Sequence, residues 1–359
     1  MTLHAPLQGL RIVDLTRLLP GPVATLRLAE LGADVLKIEE PGAGDPARAL
    51  MQCAADKAAG QPSTFYKIVN RGKREARLDL KSETGLTVLR ALVREADVIV
   101  ESFRPGVMER LGLGYEALAA LNPKLVYCAI TGYGYESPFS QRPGHDINYL
   151  AYAGVLDQVK ARDGTPAIPN IQIADLLGGA LSAVTQILAA LWRVARGGDG
   201  AFIDVSMTHA MHAHNIVART TLIDTIREGN GTSTPRTGGG LLDGGVPCYN
   251  LYRTADGRWL AVGALELKFW ERLCRALNRN DWASRHWSLG QAIGGPDAMA
   301  LTQELADLFA EHPLDDWVSL LEPLDCCVSP VLTAAEAASH ALFQPAAPES
   351  ESAVPESEE

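Results

Sequence analysis

In the first forty residues, the spacing of apolar positions is first that of a strand, then that of a helix, and then that of a strand again. Residues 10–15 (LRIVDL) form a short apolar run that suits a central strand. A helical pattern opens at Pro22 and closes at Gly32, residue types that favour a helix start and a helix end respectively. Residues 34–39 (DVLKIE) form a second apolar run. The pattern therefore predicts a strand–helix–strand unit.

The same alternation continues to about residue 207. Ser82 has the residue type of a helix N-cap, and the leucines that follow it recur on one helical face. Three further apolar runs, at residues 96–101, 125–130 and 202–207, read as buried strands. Strands separated by helices at this spacing predict an α/β fold with a mostly parallel sheet that is covered on both faces.

The pattern changes after about residue 230. A Gly-rich stretch, residues 231–245, predicts an irregular loop, and residues 248–253 and 258–264 flank a turn that is typical of a hairpin. Helical patterns follow at about 267–278, 298–311 and 315–322. We therefore expect a large domain over 1–225, a smaller α+β domain over 226–335, and a C-terminal segment over 336–359. The acidic stretch 344–359 has the composition of a disordered tail.

Charge narrows the classes of function. The 359 residues carry 32 basic and 43 acidic side chains, a net charge of −11, which argues against a nucleic-acid-binding protein. An anionic ligand would need a local basic cluster, and residues 67–77 hold five Lys and Arg side chains with a single glutamate. This segment is either a solvated loop or a phosphate-binding cluster. The reversed local charge favours the phosphate-binding cluster.

Cysteine placement and the chain start predict a cytoplasmic protein. The six cysteines form no C-x-x-C pair and mostly lie in apolar stretches, as reduced thiols do. The first residues lack the pattern of a secretory signal. The apolar run 176–192 contains glycine, serine, threonine and glutamine, so we expect a buried helix and no membrane partner.

Four acid/base candidates stand out. His145 and Asp146 open a helical pattern, where the aspartate serves either as a cap or as part of an oxyanion site. Asp175 heads the most apolar helix, either as its cap or as a base whose pKa burial raises. Glu266 follows a predicted strand and is otherwise an ordinary surface residue.

Cofactor and metal motifs are weak. The first strand is followed by RLLPGP and not by G-x-G-x-x-G, so a nicotinamide cofactor is not indicated. The three histidines His209, His212 and His214 do not share one helix face, so we expect no metal site.

The order of several separate motifs resembles the alpha-methylacyl-CoA racemases, a branch of the family III (CaiB/BaiF-like) CoA transferases. The resemblance covers residues 7–335. It rests on residues 6–15 (PLQGLRIVDL), 31–39 (LGADVLKIE), 70–74 (NRGKR), 78–81 (LDLK), 104–114 (RPGVMERLGLG), 131–134 (TGYG), 144–149 (GHDINY), 242–249 (LDGGVPCY), 262–266 (VGALE) and 327–332 (CVSPVL).

The resemblance implies an enzyme that interconverts the R and S forms of 2-methyl-branched acyl-CoA thioesters without a cofactor, CoA being part of the substrate. It makes His145 and Asp175 the two acid/base residues and Glu266 the residue that orients the histidine. It makes the backbone N–H of Asp146 the hydrogen-bond donor to the thioester oxygen. The residues that it places on the substrate or CoA are Arg71, Lys73, Arg74, Arg110 and Tyr149.

The resemblance also implies a Rossmann-like large domain and a small domain, in two chains that interlock as a homodimer with shared active sites. Two features depart from the family pattern: Glu40 precedes Pro41 where a basic residue is usual, and the acidic tail replaces an extended C-terminal return. Transferase relatives use an aspartate at the position of Asp175 as a nucleophile, so CoA transfer is the alternative function. A non-catalytic acyl-CoA-binding protein is a third, which the paired acid/base groups disfavour.

Overall fold

The computed structural model describes residues 5–161, 164–229, 231 and 238–344. The chain divides into two compact units, Met1–Thr234 and Pro235–Glu359. The predicted boundary at 225/226 falls inside a helix, Ile216–Arg227, so the structure places the division after that helix. Residues 232–237 of the glycine-rich loop predicted over 231–245, and residues 345–359 of the tail predicted over 344–359, lie outside the described residues.

Parallel strands form the sheet of the first unit, as predicted. Its strands are β1 (Arg11–Asp14), β2 (Asp34–Glu39), β3 (Arg74–Arg77), β4 (Val98–Glu101), β5 (Val126–Thr131) and β6 (Ala201–Ser206). Within the described residues they lie in the order β3-β2-β1-β4-β5-β6. The sequence analysis missed β3 (REAR), because an edge strand of charged residues lacks the apolar pattern of a buried strand.

Helices connect these strands. They are α1 (Pro20–Glu30), α2 (Ala54–Ala58), α3 (Thr64–Val69), α4 (Glu83–Glu95), α5 (Val107–Arg110), α6 (Tyr115–Ala119), α7 (Asp146–Tyr152), α8 (Ser182–Ala195), α9 (Met207–His214) and α10 (Ile216–Arg227). Successive strand residues pack on opposite faces: Ile12 joins the core that contains Leu28, and Val13 joins the core that contains Leu89. The sheet is therefore covered on both faces, as its apolar strands predict.

A π-helical segment, Ala174–Leu181, runs directly into α8. Gly178 and Gly179 allow it to approach its neighbours, since an added Cβ would meet Met207 O at 2.9 Å and Pro20 Cβ at 2.8 Å. The combined helix, Ala174–Ala195, is long and apolar enough to span a membrane, but core helices of soluble proteins pass the same test. One of its faces packs into the core of the first unit.

The second unit contains a three-stranded antiparallel sheet and helices. Its strands are β7 (Tyr249–Arg253), β8 (Trp259–Gly263) and β9 (Val328–Pro330), and its helices are α11 (Leu267–Ala276), α12 (Pro296–Phe309), α13 (Leu314–Leu321) and α14 (Ala334–Ser339). The predicted hairpin is confirmed, with Arg253 paired to Trp259. Trp270, Trp282 and Phe309 are fully buried in its core. The fold is thus α/β with a smaller α+β unit.

Candidate active site

The order of the strands places a cavity at the carboxyl edge of the first unit's sheet. The chain leaves the neighbouring strands β1 and β4 in opposite directions across the sheet, and ligands bind at such a switch point in open parallel sheets. A cavity of about 790 Å³ lies there. Loops that follow β1, β4, β5 and β6 contribute to its wall, which includes Arg17, Leu18, Phe103, Arg104, Thr131, Tyr133, Arg142, His145, Tyr149, Asp175 and Met207.

Asp146 and Asp175 are close together in this wall. Asp146 is the first residue of α7, and its Oδ1 accepts a hydrogen bond from Asp175 N at 3.0 Å. Asp175 lies in the first turn of the π-helical segment. Asp146 thus caps the helix that contains Asp175. The alternative that Asp175 itself caps this helix is therefore corrected. The Asp175 carboxylate accepts no hydrogen bond from the described residues.

Both carboxyl groups have raised pKa values. Burial is the main cause for Asp175, and the negative charge of Asp146 adds to it, so the pKa of Asp175 rises to about 7. Burial also raises the pKa of Asp146, while backbone N–H groups of Asp175 and Ala174 oppose that rise. A carboxyl group with a pKa near 7 can either accept or donate a proton at neutral pH.

His145 lies on the wall of the same cavity as Asp175. It is the N-cap of α7, and its backbone makes cap contacts: His145 N donates to Asn148 Oδ1 at 3.0 Å, and His145 O accepts from Asn148 N at 2.8 Å. The residue is exposed, unlike the core histidine considered from the sequence. The structure therefore places an imidazole and a raised-pKa carboxyl group around one space.

Tyr149 holds the loop that contains His145. Its side chain is buried, and its hydroxyl donates to Gly144 O at 2.6 Å. Its ring packs edge to face against Tyr133, with 5.3 Å between the ring centroids. Tyr149 thus borders the cavity, as expected of a residue on the substrate side, but its hydroxyl is already used to hold the loop.

Glu266 belongs to the second unit. It directly precedes α11 and serves as that helix's N-cap position. The indole of Trp287 donates to the carbonyl of the preceding residue, Leu265, at 2.8 Å. This contact helps to hold the segment that carries Glu266. The role that the resemblance assigns to Glu266, orienting the catalytic histidine, stays a prediction.

The predicted CoA role of Lys73 is corrected by its surroundings. Its ammonium is fully buried and donates to Asp14 Oδ2 at 3.1 Å, Pro22 O at 2.9 Å and Asn70 Oδ1 at 2.8 Å. An ammonium with three oxygen partners inside the fold would have to leave all of them to reach a phosphate. Lys73 therefore ties the end of β1 to the start of α1.

Arg71 and Arg74 lie away from the cavity. Arg71 pairs with Glu30 at 2.8 Å, at the end of α1, and Arg74 pairs with Asp34 at 2.7 Å, at the start of β2. Both acidic residues belong to the amino edge of the sheet, opposite the edge that holds the cavity. The structure does not gather Arg71, Lys73 and Arg74 into one phosphate-binding cluster.

Arg110 lines a second cavity of about 530 Å³. Arg17, Phe103 and Val107 border both this cavity and the one that contains Asp175. Glu40 also lines the second cavity, and its carboxylate is 3.5 Å from Arg17. The two cavities are therefore adjacent, with the Arg17 side chain at their junction.

Sequence analysis missed three arginines on the cavity wall, Arg17, Arg104 and Arg142. Arg17 and Arg104 each lie a few residues after a predicted strand, and loops at the carboxyl ends of parallel strands carry binding residues. That position was the available signal. In the part of the chain that the structure describes, no group of three or more His, Cys, Asp or Glu side chains has the arrangement of a metal site.

Comparisons with known proteins place these features in a family. Residues 7–355 match the model of CoA-transferase family III. The alpha-methylacyl-CoA racemase of Mus musculus is 36% identical over 93% of this chain and 80% of its own length. The human succinyl-CoA:glutarate CoA-transferase is 32% identical over 88% of this chain and 69% of its own length.

Solved structures agree with the fold. A CaiB/BaiF family protein from Brucella suis is 28% identical, covers 94% of this chain and 87% of its own, and has a TM-score of 0.77. The M. tuberculosis protein Rv3272 is 29% identical with the same coverages and a TM-score of 0.77. Relatives named for two different reactions thus share this chain's sequence pattern, and the two solved structures share its fold.

Proposed function

The chain belongs to CoA-transferase family III and is an enzyme of that superfamily, and from this premise we propose that it interconverts the R and S forms at C2 of 2-methyl-branched acyl-CoA thioesters. One observation carries the proposal: His145 and Asp175 border a single cavity, and burial raises the pKa of Asp175 to about 7. Inversion at one carbon needs a base on one face and an acid on the other.

The proposed reaction proceeds through an enolate. One of the two groups, His145 or Asp175, takes the C2 proton, and the C–H electron pair moves into the thioester to form a C–O⁻ enolate. The other group, protonated beforehand, returns a proton to the opposite face of C2. The overall reaction consumes no redox equivalent and needs no cofactor. The reverse direction exchanges the roles of the two residues.

The start of α7 is suited to the enolate oxygen. The backbone N–H of Asp146 belongs to the first helical residue, which has no acceptor within its own helix. Donors aimed at a developing oxyanion contribute roughly 10²–10³ in rate in other acyl enzymes. We therefore retain the Asp146 N–H as the donor to the thioester oxygen, with His145 beside it in the chain.

The two adjacent cavities offer a route for the rest of the substrate. C2 of the acyl chain lies between His145 and Asp175 in this proposal, and the CoA group extends past Arg17 into the cavity that Arg110 and Lys81 line. Cations there suit the phosphates of CoA. Binding energy from this distant part would position C2 between the two bases.

The alternative is CoA transfer, which the similarity to a succinyl-CoA:glutarate CoA-transferase supports. There Asp175 would attack the thioester and carry the acyl group as an anhydride. This role needs an ionised carboxylate, whereas burial and the negative charge of Asp146 raise the pKa of Asp175 to about 7 and so oppose its ionisation at neutral pH. Transfer also leaves His145 without a role, which is why we rank it second.

Solvent deuterium uptake tests the proposal. The enzyme is incubated in D₂O with one enantiomer of a 2-methylacyl-CoA and without a second carboxylic acid, and deuterium at C2 is followed by mass spectrometry. Uptake with loss of optical purity, absent in His145→Ala, is expected. Acid-dependent CoA exchange, together with a hydroxylamine-trapped acyl group on Asp175, would establish the transferase instead.

A homodimer is part of the same proposal. The helix α10 exposes Ile216, Val217, Ile223 and Ile226, with about half or more of each side chain accessible in the single chain. An apolar face of this kind is usually covered by a partner. Light scattering at micromolar concentration is expected to give twice the 38.5 kDa chain mass.

A further inference from the structure

Glu101 is a buried acidic side chain that the proposed reaction leaves without a role. It is the last residue of β4, at the carboxyl edge of the sheet, and is fully buried. Its Oε2 accepts a hydrogen bond from Phe103 N at 2.6 Å, and its Oε1 accepts one from the Tyr135 hydroxyl at 3.0 Å. One carboxyl group therefore joins the loop after β4 to the loop after β5.

The contact with Phe103 leads to the junction of the two cavities. The Phe103 ring lies 5.3 Å from the guanidinium carbon of Arg17, a cation–π contact. The neighbouring residue Ser102 accepts a hydrogen bond from Arg17 N through its Oγ at 3.2 Å. Residues 102–103, which Glu101 holds, thus contact both the backbone and the side chain of Arg17.

The contact with Tyr135 leads to the His145 loop. Tyr135 N donates a hydrogen bond to Asp204 Oδ2 at 2.8 Å, so the backbone of Tyr135 is held as well as its side chain. Two residues earlier, Tyr133 packs against Tyr149, whose hydroxyl holds the carbonyl of Gly144. Gly144 directly precedes His145, so the loop that Glu101 holds supports the proposed acid/base residue.

We propose that Glu101 is a positioning residue, which sets the spacing between Arg17 at the CoA junction and the loop that carries His145. The inference rests on the proposed acyl-CoA function and extends it. Glu101 touches no reacting atom. It acts because a carboxyl group has two oxygens at a fixed separation, and each oxygen holds one side of the site. An error of about 1 Å in such spacing can lower a rate on the order of 10²-fold.

The charges around Glu101 indicate which substitute can replace it. Burial raises its pKa to about 7, the negative charges of Glu109 and Asp204 add to this rise, and the Phe103 and Tyr135 hydrogen bonds oppose it. Tyr127 and Cys128 on β5 also interact electrostatically with Glu101, and both are neutral at pH 7. Glutamine has the same shape and no charge: its Oε1 can accept from Phe103 N while its Nε2 donates to the Tyr135 hydroxyl, which can act as acceptor, so glutamine is the conservative variant.

Steady-state kinetics of the deuterium exchange test the inference, with KM and kcat determined separately. Glu101→Ala is expected to raise KM for acyl-CoA about tenfold and to lower kcat by about the same factor, because both loops lose their common anchor. Glu101→Gln is expected to restore both constants to within about twofold of wild type. Glu109→Gln is the matched control: it removes a nearby carboxylate but neither hydrogen bond, and is expected to leave both constants unchanged.

Tyr135→Phe separates the two sides and covers the case in which Glu101→Ala fails to fold. It keeps the contact with Phe103 and removes the contact on the His145 side. We therefore expect kcat per folded enzyme, with the folded fraction taken from the melting curve, to fall severalfold while KM stays within about twofold. A variant that merely loses folded protein would lower the apparent kcat and the melting temperature and leave KM unchanged. If Glu101→Ala keeps the wild-type KM, if Glu101→Gln is as impaired as Glu101→Ala, or if Tyr135→Phe raises KM and not kcat, the inference is wrong.

Calorimetric titration with free CoA separates this inference from the proposed function, since it requires no turnover. About tenfold weaker CoA binding by Glu101→Ala, with wild-type binding by Glu109→Gln, supports the positioning role even if the wild-type enzyme proves not to be a racemase. Equal binding by Glu101→Ala and wild type overturns it. Absence of C2 exchange in the wild type overturns the racemase function alone.

Discussion

Two aspartates of the first unit, Asp14 and Asp175, are both largely removed from water, but the charges next to them have opposite signs. Burial alone would raise the pKa of Asp14, but Lys73, Lys37 and two threonine hydroxyls outweigh it and lower the pKa to about 2. No cation among the described residues offsets the burial of Asp175, and the nearby Asp146 adds to the effect of burial. The comparison shows that the neighbouring charge, and not burial itself, decides whether a carboxylate stabilises the fold or remains available for proton transfer.

The two aspartates also affect stability in opposite directions. The folded-state pKa of Asp14 is below its unfolded value, so its contribution is present above about pH 4 and is lost as the pH falls towards 2. The folded-state pKa of Asp175 is above its unfolded value, so the folded state loses stability as the pH rises from about 4 to 7. A proposed acid/base group of this kind lowers the stability of the fold at the pH where it would act.

Replacing Asp175 should have the largest effect. Asp175→Asn removes one of the two proposed bases and should lower C2 proton exchange by about 10³-fold, within the range for general acid–base residues. The helix should remain capped, because Asp146 provides the cap. Exchange is measured in D₂O, and the melting temperature is measured at pH 4 and pH 8.

The ionisation penalty of Asp175 predicts a second result for the same variant. Since asparagine does not ionise, the melting temperature of Asp175→Asn should match wild type at pH 4, where Asp175 is protonated in the folded state, and exceed it at pH 8. Retained exchange, or a melting temperature that falls at both pH values, would contradict the assignment of Asp175 as a reactive carboxyl group that does not cap its own helix.

Removing the cation beside Asp14 should mainly affect stability. Lys73→Met leaves a buried carboxylate with one fewer partner, and we expect the free energy of unfolding at pH 7 to fall by about 3–5 kcal/mol. The loss should shrink at pH 4, where Asp14 can take up a proton. Urea titrations at both pH values measure the difference.

The matched control is Lys67→Met, which removes an exposed lysine paired with Asp56 at 2.9 Å. An exposed ion pair of this kind contributes less than about 1 kcal/mol. The KM of correctly folded Lys73→Met should be near wild type. A large rise in KM with unchanged stability would return Lys73 to the CoA-binding role predicted from the sequence.

Asp146→Asn should make the electrostatic surroundings of Asp175 less different from those of Asp14. The amide oxygen can still accept from Asp175 N, but the negative charge beside Asp175 is lost, so the pKa of Asp175 should fall. The limb of the pH–rate profile that reports Asp175 should shift to lower pH, with about a tenfold or smaller change in rate at pH 7. Profiles for both enantiomers measure it, and an unshifted limb would show that Asp146 does not tune Asp175.

The smallest effect is expected from the exposed arginines. The double variant Arg71→Gln and Arg74→Gln breaks two exposed ion pairs at the amino edge of the sheet, and should change KM for acyl-CoA by less than about twofold. Arg110→Gln, in the cavity next to Arg17, should raise KM more. The reverse order would place CoA at the amino edge and contradict the route proposed here.

Some elements were predictable because their pattern is local. The strand Asp34–Glu39 matches its predicted bounds, and the hairpin of the second unit forms about the predicted turn. The strand Val328–Pro330 was missed because three residues are too short for a periodic signal. The Arg74–Arg77 strand was missed because its stability comes from pairing with β2 and not from its own side chains.

The sequence by itself determined the α/β order, the smaller α+β unit, the family and the candidate pair His145 and Asp175. Tertiary structure decided what the charged residues face: Lys73 meets a carboxylate 59 residues away in the chain, and Asp175 meets one 29 residues away. Periodicity is set by neighbours along the chain, which the sequence displays directly. The energy of a charge depends on its distance to other charges and to water, and only the folded chain sets those distances.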